Sequence, residues 1–339
     1  MDDPRKILAL LPNWLGDAAM ATPALRALHN RFPRAQITVA GRDAPVQLLE
    51  GLPFLTNSIT LPPRHGIATT LRAASRLRPH ARDLAVVFPH SFRSALLARL
   101  AGSRRRIGYA GDRRSFLLTD PVPPHRENGI ITPIYMAREY VDLVAPLGCS
   151  DDGLGLQLAA DRAAVEALKP RFDPARPHVG IAPGTAFGPS KLWPADRFAQ
   201  VADALAQRIN TQCVLLTGPG EETTRDAILR AAKNAFVPLD GAGNGIDTLK
   251  AAVSLLDLLI CNDSGARHVA VSLHVPTVCI MGPTSPAYSN GPYERGRVLR
   301  VDVDCGPCQK PVCITDHRCM TQITTQSVIQ TALELLAKP

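Results

Sequence analysis

Five short apolar runs, Ile7–Leu11, Leu84–Phe88, Val179–Ala182, Leu258–Cys261 and Thr277–Met281, constrain this chain most. They are too short for helices, and they lack the apolar/polar alternation of a strand with one face in water. Such runs are expected of parallel strands covered on both faces. Each ends at a loop of small or polar residues, and helical patterns lie between the runs. Strand alternating with helix predicts a doubly wound parallel α/β sheet.

In the first half the helical patterns cover 18–32, 44–50, 71–77, 92–100 and 132–147, with strands at Gln36–Ala40 and Arg106–Tyr109. Residues 12–17 and 111–131 read as loop. Ser91 is placed to cap the helix that follows it. Residues 148–177, rich in Gly, Asp and Pro, mark a change of domain. The second half repeats the pattern, with helices at 195–209, 221–234, 246–255, 264–273 and 324–336 and a further strand at 212–217. The expected organisation is a first Rossmann-like domain over 1–150, a linker over 151–177 and a second Rossmann-like domain over 178–339. The two are expected to face each other across a cleft.

With 339 residues, 45% of them apolar, there is enough for two cores. No apolar run reaches the ~20 residues of a membrane span. Met1–Lys6 leads straight into the first strand pattern with no signal-peptide character, so a cytoplasmic protein is expected. The net charge of +8 is unevenly spread. Residues 1–150 hold 20 Lys/Arg against 11 Asp/Glu, and residues 151–339 hold 18 against 19. Almost all the excess is arginine, whose planar fork suits carboxylate and phosphate. It clusters at Arg64, Arg72, Arg76, Arg78 and Arg82, then at Arg104–Arg106 and Arg113–Arg114. An anionic partner for the first half follows. Nucleic acid does not fit, with aromatics at 5% and no recognised binding motif.

Ligands of doubly wound sheets sit at the carboxyl ends of the strands. In the first half that rule selects 12–17 and 89–93. Asp17, at a helix start, reads either as a helix-terminal charge or as a general base. In the second half it selects three loops. Pro183–Pro194 carries Gly184, Thr185 and a single cation, Lys191, and can turn N–H groups toward a phosphate. It is not a Walker loop. Cys261–His268 opens a helix through Ser264 and Gly265, with His268 one turn on. Asp263 there would repel a phosphate and suits a hydroxyl or the neighbouring loop. Gly218–Glu222 offers Glu221 or Glu222 to the hydroxyls of a ribose, or simply an acidic first turn. Three such loops in one crevice suit a nucleotide diphosphate. The G-x-G-x-x-G spacing is absent, so a nicotinamide enzyme is not supported.

Cys305, Cys308, Cys313 and Cys319, with His317 among them, suit a structural zinc, a thiol cluster or a reversible disulfide. Only the first pair has finger-like spacing. Cys149, Cys213, Cys261 and Cys279 read as core thiols.

Pro12-Asn-Trp-Leu-Gly-Asp17, the 183–194 loop and Asn262–His268 with Met281–Pro286 together resemble the lipopolysaccharide heptosyltransferases of glycosyltransferase family 9. The Pro-Asn-Trp opening and the Phe-Gly-Pro loop point to the type II enzymes. The resemblance spans nearly the whole chain. It implies a GT-B fold, an ADP-activated heptose donor, an inverting displacement and no catalytic metal. By motif, Asp17 would be the base and Lys191 would neutralise the leaving diphosphate. Gly184, Thr185, Glu221, Glu222, Asp263, Ser264, Gly265 and His268 would line the donor site. Asn13, Trp14, Arg64, Ser91 and Arg93 would meet an anionic inner-core acceptor, with peripheral contact at the cytoplasmic face of the inner membrane. Arg267 departs from the family pattern, where a small or apolar residue is usual. A relative with another nucleotide sugar or acceptor, and a non-catalytic binder of anionic saccharides, are the competing readings.

Overall fold

The structure, a computed structural model, describes residues 3–62, 66–239 and 245–337. It divides into two compact units, Met1–Ala159 and Ala160–Pro339.

The first unit runs β1 (Lys6–Leu10), α1 (Leu15–Met20), α2 (Thr22–Arg31), β2 (Gln36–Gly41), α3 (Asp43–Leu49), β3 (Asn57–Thr60), α4 (Ile67–Leu77), β4 (Leu84–Val87), α5 (Phe92–Leu100), β5 (Arg105–Tyr109) and β6 (Asp120–Val122). A small antiparallel hairpin, β7 (Arg126–Glu127) and β8 (Ile130–Ile131), and helix α6 (Met136–Val144) complete it. The main sheet has the order β3-β2-β1-β4-β5-β6, and every neighbouring pair is parallel. Leu8, Leu10, Ala85 and Val87 pack against Ala73, Ala74 and Leu77 of α4 and Ala95 and Ala98 of α5. Ile7, Ala9 and Val86 alternate with them and are equally buried, which is why these runs carry no polar residue. The strand order reverses between β1 and β4, and a doubly wound sheet opens its ligand crevice at that point.

The second unit runs α7 (Arg162–Leu168), β9 (His178–Ala182), α8 (Ala195–Ile209), β10 (Gln212–Leu215), α9 (Glu222–Ala231), α10 (Ile246–Ser254), β11 (Leu258–Asn262), α11 (Gly265–Ser272), β12 (Thr277–Ile280), α12 (Pro286–Ser289), β13 (Gly296–Leu299), α13 (Arg318–Thr321) and α14 (Thr325–Leu336). Its sheet has the order β10-β9-β11-β12-β13, again all parallel. Val179, Ile181, Leu258, Ile260, Val278 and Ile280 form a core with α8 and α14. The reversal lies between β9 and β11.

Several sequence expectations are corrected. The helix expected over 18–32 is two helices, broken where Pro23 enters the first turn of α2 without an N–H to donate. Asp17 lies inside α1, not in a loop. Residues 111–131 hold β6 and the hairpin. The helix expected over 132–147 begins only at Met136 and ends in a 3-10 turn, Ala145–Leu147. Strands β3 and β13 were not expected. Asp152 accepts a forked pair from Arg26 at 2.6 Å each, which ties it to the first unit. Helix α7, capped by Asp161, packs on α10. Among the described residues no helix is long and apolar enough to cross a membrane.

Candidate functional site

The loop after β9 begins at Pro183, whose carbonyl accepts from Asn262 Nδ2 at 2.6 Å. This bond joins the carboxyl ends of β9 and β11, the strands that flank the reversal. Gly184 follows, and the Glu221 carboxylate lies close against it: an added Cβ would stand 1.7 Å from Glu221 Oε1 and would push that side chain aside. Glu221 in turn accepts the Gly218 N–H at 2.8 Å. Burial pushes its carboxyl pKa up. Glu222 is exposed and accepts from the Gly220 N–H at 3.1 Å. The structure therefore turns Glu221 toward Gly184 and leaves Glu222 outside.

Thr185 accepts from the Phe187 N–H, 3.3 Å, and Phe187 places its ring 4.9 Å from the Lys191 ammonium. Lys191 donates to Asp263 Oδ2 at 2.7 Å and to the Asp263 carbonyl at 3.0 Å. An ammonium has three N–H donors, and two of them are taken by Asp263 among the described residues. Asp263 also accepts from Thr284 Oγ1 at 2.7 Å and from Arg267 Nη1 at 3.1 Å. Burial alone would raise its pKa, but Lys191 and Arg267 outweigh burial and hold the carboxyl far below its usual range. Asp263 thus draws Lys191 and Arg267 together.

Arg267 is the centre of this network. Its side chain is wholly buried, and it forks onto Glu294 through Nε (2.9 Å) and Nη2 (2.5 Å). It also donates to Ser289 Oγ and Asn290 Oδ1. The departure from the family pattern therefore has a structural account: Glu294 and Asp263 compensate a buried guanidinium. Asp263, just before the N-cap of α11, and Arg267, four residues on in its first turn, are close enough in sequence to have been a readable signal. Glu294 comes from a loop beyond α12 and gave none.

Ser264 precedes α11 and Gly265 starts it, leaving backbone N–H groups of the first turn unpaired within the helix. His268 is buried, and burial followed by the Arg267 charge lowers its pKa to about 4. It is a neutral imidazole at neutral pH.

Among the described residues no three His, Cys, Asp or Glu side chains stand together as ligands. Cys305 and Cys313 lie 3.9 and 3.4 Å from the Thr315 hydroxyl, and all eight thiols are unbridged. Their loop braces the turn that carries Lys191. Ser190 donates its hydroxyl to the Lys310 carbonyl (2.6 Å) and its N–H to the Pro311 carbonyl, and its own carbonyl pairs with His317 Nε2 at 2.7 Å.

In the first unit, Asp17 sits in the first turn of α1, half-buried. Burial, and then the Asp17 charge, push the phenol of Tyr140 up. Asn13, Ser91 and Arg93 share the wall of a cleft of about 290 Å³ at the β1/β4 reversal. Ser91 caps α5 by accepting the Ser94 N–H at 3.1 Å. Trp14 is 55% exposed and is not part of that wall. Arg64 lies outside the described residues. Arg42 and Ser94, which sequence reading passed over, also line the cleft.

Residues 70–318 match the family described as glycosyltransferase family 9 (heptosyltransferase). The chain is 28% identical to lipopolysaccharide heptosyltransferase 2 of Escherichia coli K12 over 347 residues, 98% of each protein. A solved structure of E. coli ADP-heptose lps heptosyltransferase II superimposes with a TM-score of 0.80 at 27% identity, covering 98% of both chains. A glycosyltransferase family 9 structure from Veillonella parvula gives 0.85 over 100% of this chain and 99% of its own, at 22% identity.

Proposed function

The chain belongs to glycosyltransferase family 9, is a glycosyltransferase of the GT-B fold, and on that footing we propose that it transfers heptose from ADP-heptose to the heptose-bearing inner core of lipopolysaccharide. The acceptor hydroxyl oxygen attacks the anomeric carbon. The bond from that carbon to the diphosphate breaks, and its electron pair leaves with ADP. Asp17 takes the hydroxyl proton. Lys191 offers its remaining N–H to the diphosphate, and the start of α11 offers backbone N–H groups. Charge grows on the leaving group along this path, so both stabilise the transition state more than the ground state. Glu221, beside Gly184, takes the ribose hydroxyls. Each step uses protein groups alone.

One observation carries the reading: a lysine clasped by Asp263 at the β9/β11 reversal, beside an open helix start. Contact with the anionic face of the inner membrane is supported by Ile67 and Leu71, 84% and 51% exposed on α4 beside exposed Arg72 and Arg76. The test is turnover with ADP-heptose and a heptose-bearing core acceptor, with products read by mass spectrometry. A product one heptose heavier supports the proposal. Transfer only from another nucleotide sugar would replace the donor.

A further inference from the structure

Residues 300–317, between β13 and α13, form irregular backbone, yet their hold on the molecule is specific. The Gln309 N–H donates to the Pro283 carbonyl at 2.9 Å. The Lys310 carbonyl accepts from Ser190 Oγ at 2.6 Å, and the Pro311 carbonyl accepts from the Ser190 N–H at 3.0 Å. Gly188, in the same turn as Ser190, packs so closely on Pro311 that an added Cβ would stand 2.4 Å from its carbonyl oxygen. Three consecutive residues thus clasp two turns, one leading to Lys191 and the other to Thr284. The side chains of Lys191 and Thr284 meet on one oxygen, Asp263 Oδ2, at 2.7 Å each. Gln309 holds a left-handed backbone, φ 54°, which costs a residue with a side chain and is kept by the contacts around it. Cys305 and Cys313 flank this clasp. Their sulfurs lie 3.9 and 3.4 Å from the same atom, the Thr315 hydroxyl oxygen. Cys305 is exposed and Cys313 half-buried, whereas Cys319 is packed into the core of the second unit.

We propose that Cys305 and Cys313 form a reversible disulfide, with a small-molecule disulfide such as oxidised glutathione as the oxidant, and that the bridge loosens the clasp on the Lys191 turn. The Cys305 thiolate attacks one sulfur of the oxidant and expels a thiolate, leaving a mixed disulfide. The Cys313 thiolate then attacks the Cys305 sulfur and expels the second thiolate. The two cysteine protons end on the two released thiols, and the oxidant gains two electrons. A bridge needs sulfurs about 2.05 Å apart and Cα atoms about 4.4–6.8 Å apart. Both thiols are unbridged here, so closure moves the chain, and irregular backbone on either side lets it move. What lies between them is the clasp itself, Gln309, Lys310 and Pro311. Once it shifts, the Ser190 N–H and hydroxyl lose the carbonyls that hold them. The inference rests on the reading of Lys191 as the cation at the diphosphate, and it adds a redox state that governs that cation.

The experiment uses the full-length protein, reduced and then equilibrated with oxidised glutathione, and the variants Cys305→Ser, Cys313→Ser and Cys308→Ser. Peptide mapping by mass spectrometry should find a Cys305–Cys313 bridge that dithiothreitol removes. Amide hydrogen exchange at Ser190 and Gln309 should speed up in the oxidised wild type and return to its first rate on reduction. Calorimetry should show ADP bound about 10-fold more weakly by the oxidised protein, the scale of one or two lost hydrogen bonds. Cys308→Ser should keep the whole response. Cys305→Ser and Cys313→Ser should lose it, and should bind ADP as the reduced wild type does. No bridge, a bridge between any other two cysteines, or a Cys305–Cys313 bridge that leaves the Ser190 and Gln309 amides unchanged overturns the switch. So does a metal ion that elemental analysis finds in the purified protein and that shields both thiols from the oxidant. Faster exchange at Ser190 with unchanged ADP affinity supports the switch and counts instead against Lys191 at the diphosphate, and so against the function proposed above.

Discussion

In the second unit, Lys191 and Arg267 meet Asp263 and Glu294, so two cations are matched by two carboxylates inside the protein. In the first, Arg93 holds two buried nitrogens with no acceptor among the described residues. Both groups sit at the point where their sheet's strand order reverses. The same topology therefore hosts two kinds of site. One is balanced from within and stands ready before any ligand arrives. The other keeps a buried charge that the described residues do not balance. Pre-organisation of the first kind serves a transition state, since the cation need not be recruited during the reaction. A deficit of the second kind costs stability, because a buried charge without a partner is expensive to keep.

The sharpest way to break this contrast is to separate turnover from stability in each unit. Asp17→Asn should lower kcat about 10²- to 10⁴-fold, the range for loss of a general base. It should leave the melting temperature and ADP affinity close to wild type. Steady-state kinetics with a thermal melt and ADP calorimetry check this, and unchanged kcat removes Asp17 as the base.

Asp263→Ala should do the reverse and act first on the fold. It strands Lys191 and buried Arg267, and breaking a buried pair from one side costs about 3–5 kcal/mol. Urea unfolding should show a lower midpoint with an unchanged slope. A loss under about 1 kcal/mol would mean that Glu294 alone satisfies Arg267, and the internal balance claimed for this unit would not hold.

Acid should expose the same difference through His268. Its pKa in the folded state is about 4 against 6.5 for the free side chain. Above pH 6.5 both states carry a neutral ring, and stability is level. From 6.5 to 4 the unfolded chain takes up a proton that the folded chain refuses, so stability falls as pH falls, by on the order of 3 kcal/mol. Below about pH 4 the depressed carboxyl of Asp263 adds to the loss, because its contribution exists only while it is ionised in the unfolded chain as well. Equilibrium unfolding across pH 4 to 7 tests this, and His268→Phe should flatten the upper part of the profile.

What could be read from sequence follows burial. Strands β1, β4, β9, β11 and β12 lie inside their sheets and had to be apolar on both faces. Strands β3, β6 and β13 lie at edges, and Asn57–Thr60, Asp120–Val122 and Gly296–Leu299 accordingly show no apolar run. The donor loops were legible because glycine and small residues at strand ends have few other uses. The grouping of Asn13, Ser91 and Arg93 was legible from the strand-end rule. The pairing of Arg267 with Glu294 was not, since 27 residues separate them and no local pattern links them. Nor was the brace between Ser190 and the cysteine loop, which runs through the Lys310 and Pro311 backbone carbonyls and leaves no side-chain pattern to read.

The smallest expected effect belongs to Ser91, which has two roles in the first unit. Its hydroxyl accepts the Ser94 N–H, which satisfies one of the free donors at the start of α5, and it also lines the cleft. Losing a serine cap costs about 1 kcal/mol. Ser91→Ala should therefore shift the urea midpoint slightly and leave the ADP-heptose KM unchanged. Its effect on the acceptor KM should be below that of Arg93→Gln, because the cap acts on the helix and only indirectly on the cleft. If Ser91→Ala instead matched Arg93→Gln in acceptor KM with no loss of stability, the hydroxyl would be a ligand contact and the cap incidental. A neutral donor would then work beside the buried charge, and the contrast between the two units would be one of degree.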